Sequence, residues 1–406
     1  MPVSGAGRFG ITIRMTCSNP DTGGGPDCRL PIVCSDSSTG ALDAAGDAEA
    51  LRRRAAAARV DAVLWIGAST ESGELIDQVA ALARRRGDAP AVIGVEGAGL
   101  FGVGNTGPAA LRAVRGALPG ADIAPGTSPD TGSRLAGHAV IVTGAAQGLG
   151  RGLAEELAEE GACIAIADVS EEQGRAAAVG LNSRFGEGTA LFCPTDVTSL
   201  ESLESCVSGT TEAFGGVDIL IANAGVLRAG GIEEMDGAAF DLVTGVNYKA
   251  YFLCVKAVTP VMKLQHKLHP GHFMDIIQIS SKSGLVGSNR NFAYAGSKFG
   301  AIGLTQSFAL ELLEHNVKVN SVCPGNYFDG PLWSDPRKGL LVQYLEAGKV
   351  PGATSVDEVR RHYMAKTPMG RGCVPADVAK AVLYLHDQEY ETGQALPVTG
   401  GQVMLK

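Results

Sequence analysis

No apolar run in this 406-residue chain approaches the roughly 20 residues that a membrane-spanning helix requires. The opening Met-Pro-Val-Ser-Gly-Ala-Gly-Arg-Phe-Gly lacks the compact apolar centre of a secretory signal. Positive charge is not in excess. Lys and Arg number 34 against 43 Asp and Glu, a net charge of -9, which argues against a nucleic-acid partner. The 55 glycines follow no collagen-like period. The nine cysteines are scattered. Cys17, Cys28 and Cys34 match no zinc spacing, and Cys163, Cys193, Cys254 and Cys323 lie in apolar settings that suit buried thiols. A disulfide framework is therefore disfavoured, and the chain reads as a reduced cytoplasmic protein without a membrane partner. Hydrophobic residues at 45% and charged residues at 19% give an ordinary globular balance.

The chain divides by pattern. Residues 1–50, rich in Gly, Ser, Asp and Pro, show no sustained period and read as disordered. Residues 51–118 carry a helix closing at Arg59, a strand at 62–66, an amphipathic helix at 74–86, a strand at 91–95 and a helix opened by Pro108. Two strands are few for an α/β domain, so this segment reads as a small, incomplete extension. Residues 119–136 are a Pro- and Gly-rich linker. From 137 to 406 the pattern is regular. Strands are expected at 138–142, 162–167, 191–192, 217–222, 275–279 and 317–322, with helices between. Ser170 to Gln173 has capping-box spacing at a helix start. This alternation predicts a doubly wound parallel sheet.

Two glycine-rich segments follow strands. Gly97-Ala-Gly-Leu-Phe-Gly102 matches G-x-G-x-x-G literally, but Gly104 to Pro108 delays any helix, so it reads as a structural turn. Thr143-Gly-Ala-Ala-Gln-Gly-Leu-Gly150 runs straight into helix-forming sequence. There the glycines admit a pyrophosphate and the helix N-terminus supplies N–H donors. Asp168 ends the next strand and can accept hydrogen bonds from an adenosine ribose. Its charge disfavours a 2′-phosphate, so NAD is the expected cofactor.

Tyr294 and Lys298 stand one helical turn apart, on one face. A free phenol has a pKa of about 10, and a nearby ammonium lowers it. Ser281, from a separate segment, can hold a substrate oxygen beside that phenol. The three make a general acid/base site; taken singly, Tyr294 reads as a core aromatic and Ser281 as a strand-end hydroxyl.

The ordered set of Thr143 to Gly150, Asn223-Ala224-Gly225, Asn247, Ser281, Tyr294-Ala-Gly-Ser-Lys298 and Pro324-Gly325 resembles the short-chain dehydrogenase/reductase family over residues 137–406. The resemblance implies a Rossmann fold, a homo-oligomer (tetramer or dimer) and hydride transfer with a nicotinamide cofactor. It implies that Tyr294 is the acid/base, that Lys298 lowers its pKa and binds the nicotinamide ribose, that Ser281 orients the substrate, and that Asn247 holds a relay water. It further implies cofactor contacts from Gly144, Gln147, Gly148, Leu149, Gly150, Asp196, Val197, Asn223, Ala224, Gly225, Pro324 and Gly325. Two positions depart from the family pattern: Asp329 stands where many members carry threonine, and Ala222 where many carry asparagine.

Gln278 to Gly284, Tyr251 to Cys254, Arg371-Gly-Cys373 and Thr399 to Met404 are similar to family members that act on polyol phosphates, which implies oxidation of sorbitol 6-phosphate to fructose 6-phosphate. Such a substrate needs cations near the cleft. Lys282, Arg290 and Arg371 are the candidates, each also readable as a solvated surface charge. Residues 326–370 read as a substrate lid, in which Trp333 and Tyr344 either close the site or pack internally. Other readings remain: a dehydrogenase for another polyol or hydroxy compound, or a non-catalytic NAD-binding scaffold.

Val95 to Gly104 is similar to the end of class II aldolase domains in aldolase/dehydrogenase fusions. Those aldolases bind zinc through histidines, and no histidine precedes His138. His266, His269 and His272 suit no metal-binding spacing and read as a solvated loop. Glu155, Glu156, Glu159 and Glu160 read as the outer face of the first helix.

Overall fold

The computed structural model describes residues 133–404 except 269–270, and, earlier in the chain, the backbone of six short strands. Four of those strands form one sheet in the order Ile32–Cys34, Gly99–Val103, Val92–Val95, Val63–Ile66. The strands expected at 62–66 and 91–95 are present and pair in parallel. Gly97 to Gly102, expected as a turn, instead contributes most of the strand Gly99–Val103, antiparallel to Val92–Val95. Leu100, Phe101 and Val103 favour extended backbone, and they outweigh the glycines. The helices expected at 55–59, 74–86 and 108–118 lie outside the described residues.

The main sheet has seven parallel strands: β1 Ala139–Thr143, β2 Cys163–Asp168, β3 Ala190–Pro194, β4 Ile219–Ala222, β5 Met274–Ile279, β6 Val317–Pro324 and β7 Ala395–Val398, in spatial order β3-β2-β1-β4-β5-β6-β7. The central strands are buried on both faces. All five residues of β1, all six of β5 and all eight of β6 are buried, as expected of central strands covered on both faces. The polar residues within them, such as Asp275, Lys318 and Ser321, are buried with partners. Helices α1 Gly148–Glu159, α2 Glu171–Phe185 and α10 Pro375–Asp387 cover one face through Leu153, Leu157, Leu181 and Val382. Helices α3 Leu200–Phe214, α5 Ala250–Leu268 and α6 Phe292–Leu312 cover the other through Leu203, Val258, Met262 and Ala301. α4 Gly237–Thr244 leads into α5 through a π-helical turn, Gly245–Lys249.

Strand order reverses between β1 and β4, opening the crevice at the carboxyl ends where doubly wound sheets bind ligands. Residues 326–370, the segment expected to form a lid, hold α7 Pro331–Ser334, α8 Leu340–Glu346 and α9 Val356–Ala365. Trp333 and Tyr344 pack inside the lid. Trp333 meets Phe328, Tyr344 and Tyr363 edge-on at 5.0, 5.7 and 5.3 Å between ring centroids.

Two local expectations change. Ser170 is the N-cap of α2, but its hydroxyl makes no capping bond; its N–H donates to Asp168 Oδ1 at 2.9 Å. His272 is not solvated: it is 3% exposed, with Nε2 2.7 Å from Asp218 Oδ1. Asp218 also accepts from the Ala139 N–H, so this histidine braces the start of β1.

Candidate active site

The glycine loop joins β1 to α1. Gly144 has φ +66°, a left-handed conformation that favours glycine, and a Cβ there would come 2.9 Å from Ala224 Cα. A Cβ on Gly150 would collide with the Gly144 carbonyl and the Asn223 amide. The loop thus closes on itself only because these positions lack side chains. Gln147 is the N-cap of α1 and makes no side-chain capping bond, which leaves the helix N-terminus available to an anion such as a pyrophosphate. The loop residues fit a dinucleotide.

Neighbouring strands fasten this loop. Asn223 Nδ2 donates to the carbonyls of Thr143 and Gly144 at 2.9 and 3.2 Å. Thr143 Oγ1 accepts from the N–H groups of Asn223 and Ala224, both at 3.0 Å. Asp168 Oδ2 accepts from the Ala146 N–H at 3.0 Å. Asp168 therefore holds the loop as well as ending β2 beside it. After β3, Asp196 Oδ1 accepts from the N–H and hydroxyl of Thr198, while Val197 is buried. At the end of β6, the N–H of Gly325, which follows Pro324, donates to the Val398 carbonyl.

Ser281, Tyr294, Lys298 and Asn247 converge at the ends of β4 and β5. Ser281 caps the short helical turn Lys282–Gly284, its Oγ accepting from the Ser283 N–H at 3.1 Å. Its hydroxyl is hydrogen-bonded to the Tyr294 phenol, which favours the phenolate. Lys298, 4% exposed, donates to the Ile279 carbonyl at 2.7 Å. Its Nζ lies 5.8 Å from the Tyr294 ring centroid. The π turn aims Asn247 inward, where Oδ1 accepts from the Val226 N–H and Nδ2 donates to the Val226 carbonyl, both at 2.8 Å. A Cβ on Gly225 would lie 3.4 Å from Asn247 Oδ1 and 3.7 Å from Lys298 Nζ, so both groups border this glycine.

The electrostatics differ from the expectation for the bare pair. Burial pushes the Tyr294 phenol above its ordinary value, against the Ser281 hydrogen bond that lowers it. Burial also pushes the Lys298 ammonium down to about 8. Desolvation thus works against the phenolate at one residue and the ammonium at the other.

The predicted substrate cations separate. Lys282 is half-buried beside Ser281. Arg290, at φ 55°, is ion-paired with Glu234. Arg371 is held by both carboxylate oxygens of Asp377 and lines a cavity of about 480 Å³ with Asn326, Met369 and Thr399, to which Ser281, Tyr294 and Lys298 do not contribute. Asp329 is ion-paired with Arg360 of α9, within the lid. Thr143 and Ser297 stand inside the sequence motifs but had no role of their own there. Ser297 accepts from Asn247 Nδ2 and donates to the Tyr294 carbonyl. Its place inside the Tyr-Ala-Gly-Ser-Lys stretch was the available signal.

The family model for short chain dehydrogenase matches residues 138–335. Sorbitol-6-phosphate 2-dehydrogenase of Escherichia coli (strain K12) is 38% identical over 267 residues, spanning 65% of this chain and 98% of that protein. Trans-4-hydroxycyclohexanecarboxylate dehydrogenase of Sinomonas cyclohexanicum is 32% identical over 275 residues, 66% of this chain and 94% of that one. Among solved structures, sorbitol-6-phosphate 2-dehydrogenase from Erwinia amylovora is 38% identical with a TM-score of 0.60, covering 66% of this chain and 100% of that chain. A 3-ketoacyl-(acyl-carrier-protein) reductase from Brucella melitensis, complexed with NADH, is 25% identical with a TM-score of 0.56, covering 66% and 98%. The chain belongs to the short-chain dehydrogenase family and is an oxidoreductase that works with a nicotinamide cofactor.

Proposed function

We propose that this protein oxidises a secondary alcohol of a sugar-alcohol phosphate, sorbitol 6-phosphate to fructose 6-phosphate, with NAD. The observation that carries the reading is the meeting of Ser281, Tyr294 and Lys298 beside the glycine loop, at the reversal of strand order. The 38% identity to sorbitol-6-phosphate 2-dehydrogenase over nearly that whole protein supports the substrate.

In this mechanism Ser281 orients the substrate hydroxyl and Tyr294, as phenolate, takes its proton. Burial resists the phenolate, so the Ser281 hydrogen bond and the Lys298 charge supply part of what opposes it. Bound NAD would supply the acceptor for the hydride of the carbinol carbon and a positive ring that favours the phenolate. The proton then leaves Tyr294 toward Lys298 and a water near Asn247. A cavity of about 10 Å³ lined by Asn247, Thr143 and Gln278 is of the size that one water occupies. Gly144, Gln147, Gly148, Leu149 and Gly150 would hold the pyrophosphate. Asp168 would hold the adenosine ribose and repel a 2′-phosphate. Asp196 and Val197 would border the adenine, and Asn223, Ala224, Gly225, Pro324 and Gly325 the nicotinamide half.

The same reading makes the protein a cytoplasmic homo-oligomer. Phe252 of α5 and Phe299 of α6 are exposed, and Tyr248, also exposed, packs over Gly300 next to Phe299. An apolar surface of this kind suits burial against a second copy.

The test is NADH formation with sorbitol 6-phosphate, sorbitol and a panel of hydroxy compounds. Turnover fastest on sorbitol 6-phosphate supports the reading. Turnover confined to an unphosphorylated compound overturns it.

A further inference from the structure

Two of the three cations that the sequence offers a phosphate already have carboxylate partners: Arg290 is on Glu234 and Arg371 on Asp377. Lys282 has no ion pair among the described residues, and neither have Lys349 and Lys366 of the lid. The lid lysines are anchored by aromatic faces. Lys349 Nζ stands 4.1 Å from the Tyr344 ring centroid, and Lys366 Nζ 5.2 Å from that of Tyr363. Those two rings are 5.3 Å apart, in the cluster against which Tyr294 packs. Lys349 also donates to Ser288 Oγ at 3.3 Å, in the loop that leads on from Ser281. Lys282 follows Ser281 directly.

We propose that Lys282, Lys349 and Lys366 form the subsite for the phosphate monoester of the substrate, one cation fixed on the wall of the cleft and two carried by the lid. This rests on the polyol-phosphate reading of the same active site and names the groups that select it.

Three ammonium groups gathered beside one site repel each other, and no carboxylate among the described residues relieves them. The repulsion is felt: Lys366 depresses Lys282, and Lys282, Lys366 and Arg290 add to the burial that brings Lys349 down to about 8. A dianionic phosphate among them reverses the sign of those interactions. Lysine is a point charge with rotatable donors, suited to a tetrahedral oxyanion. Bridging wall and lid, the phosphate would also draw the lid over Tyr294 and exclude water from the reacting carbon. Recognition of the remote phosphate is thereby coupled to closure over the chemistry.

The experiment compares kcat/KM for sorbitol 6-phosphate and sorbitol in the full-length protein and in Lys282→Met, Lys349→Met and Lys366→Met. Each substitution is expected to lower the ratio of the two about 10- to 100-fold, the scale of a charged hydrogen bond. Lys349→Arg, which keeps the charge, should restore most of that ratio. Inorganic phosphate should inhibit the parent protein competitively against sorbitol 6-phosphate and the Met variants more weakly. If the parent protein does not prefer sorbitol 6-phosphate, the polyol-phosphate reading fails and the subsite with it. If the parent prefers it and all three Met variants keep that preference, the subsite alone is overturned. Should Lys349→Met fail to fold, the exposed Lys366 reads the same question.

Discussion

Lys298 Nζ donates to the carbonyl of Ile279 at 2.7 Å, tying α6 to the last residue of β5. Ser281 lies two residues beyond that carbonyl, and Tyr294 one helical turn before Lys298. This bond therefore ties the segment that carries Ser281, proposed to orient the substrate, to the helix that carries Tyr294, proposed to take its proton. Replacing Lys298 with Met removes the tether and the charge together. We expect kcat to fall about 100-fold or more, the lower range for a general acid/base contribution, as Tyr294→Phe should do more severely. Because the two residues act as a unit, the double variant should be little slower than Tyr294→Phe alone. Steady-state NADH formation measures all three, and losses that simply multiply would mean that the two residues work independently.

The glycine loop gives a prediction that is independent of the substrate. A Cβ on Gly150 meets the Gly144 carbonyl and the Asn223 amide, both parts of the loop's own fastening. Gly150→Ala should weaken NADH binding at least 10-fold, equivalent to about 1.4 kcal/mol, read by fluorescence titration. A variant that binds NADH as well as the parent would show that the loop does not hold the cofactor.

Asp168 is the residue proposed to discriminate between the two nicotinamide cofactors. Its carboxylate ends β2 and holds the N–H groups of Ala146 and Ser170. The parent protein should prefer NAD to NADP. Asp168→Asn, which keeps an acceptor oxygen but loses the charge, should narrow the kcat/KM ratio between them. An unchanged ratio would remove the charge of Asp168 from cofactor selection.

The sheet and the reacting triad were legible because each has a short-range signature. Apolar-rich segments marked β1 and β5, the valines at 317, 319 and 322 marked β6, and a one-turn spacing marked Tyr294 and Lys298. The glycine loop was legible through the helix that follows it, although its sequence departs from the literal motif. Lys349 and Lys366 were not legible, because they reach the site through the folding of the lid and share no spacing with Tyr294. Ser170 and His272 were misread for a related reason. For His272 a solvated loop is the local default, and the tertiary partner Asp218 overrides it. Ser170 stands at the N-cap as its spacing indicates, but Asp168, two residues before it, takes its N–H and its hydroxyl makes no capping bond. Spacing reports the ammonium beside Tyr294 but not the burial that raises its pKa, which only the fold reveals.

Lys349 carries a pH prediction. Burial first, then Lys282, Lys366 and Arg290, hold its ammonium at about 8, and Tyr344 and Ser288 are the neutral groups that face it. A lysine with a lowered pKa is charged below that value and neutral above it. Preference for sorbitol 6-phosphate over sorbitol should therefore be full at pH 7 and fall as pH rises through about 8 and beyond. Lys366→Met removes one repelling charge, so it should shift the midpoint of that fall upward. Profiles of the kcat/KM ratio from pH 6 to 10 (roughly the window in which an amine of this kind titrates) test both. A flat profile would take Lys349 out of substrate selection.

The opposite edge of the sheet makes a stability prediction that leaves the site alone. Lys318 in β6 is wholly buried, with Nζ 3.2 Å from Asp275 Oδ1 and donating to the carbonyls of His386 and Gln388 at 3.0 and 2.9 Å. Asp275, equally buried in β5, also meets His386 Nδ1 at 2.9 Å. Removing one partner of a buried pair leaves the other desolvated without its counter-charge, at a cost of about 3–5 kcal/mol. Lys318→Met should accordingly lower Tm by roughly 6–20 °C for a domain of this size. Exchanging both partners, Lys318→Met with Asp275→Leu, should recover a large part of the loss, since the uncompensated charge goes with the pair. Thermal melts of the two variants decide it. Because the pair sits at the amino ends of β5 and β6, away from the crevice, KM for NAD should move little in either. If the double variant melts no higher than Lys318→Met, the carbonyls of α10 and its C-terminal loop, rather than Asp275, are what the ammonium stabilises.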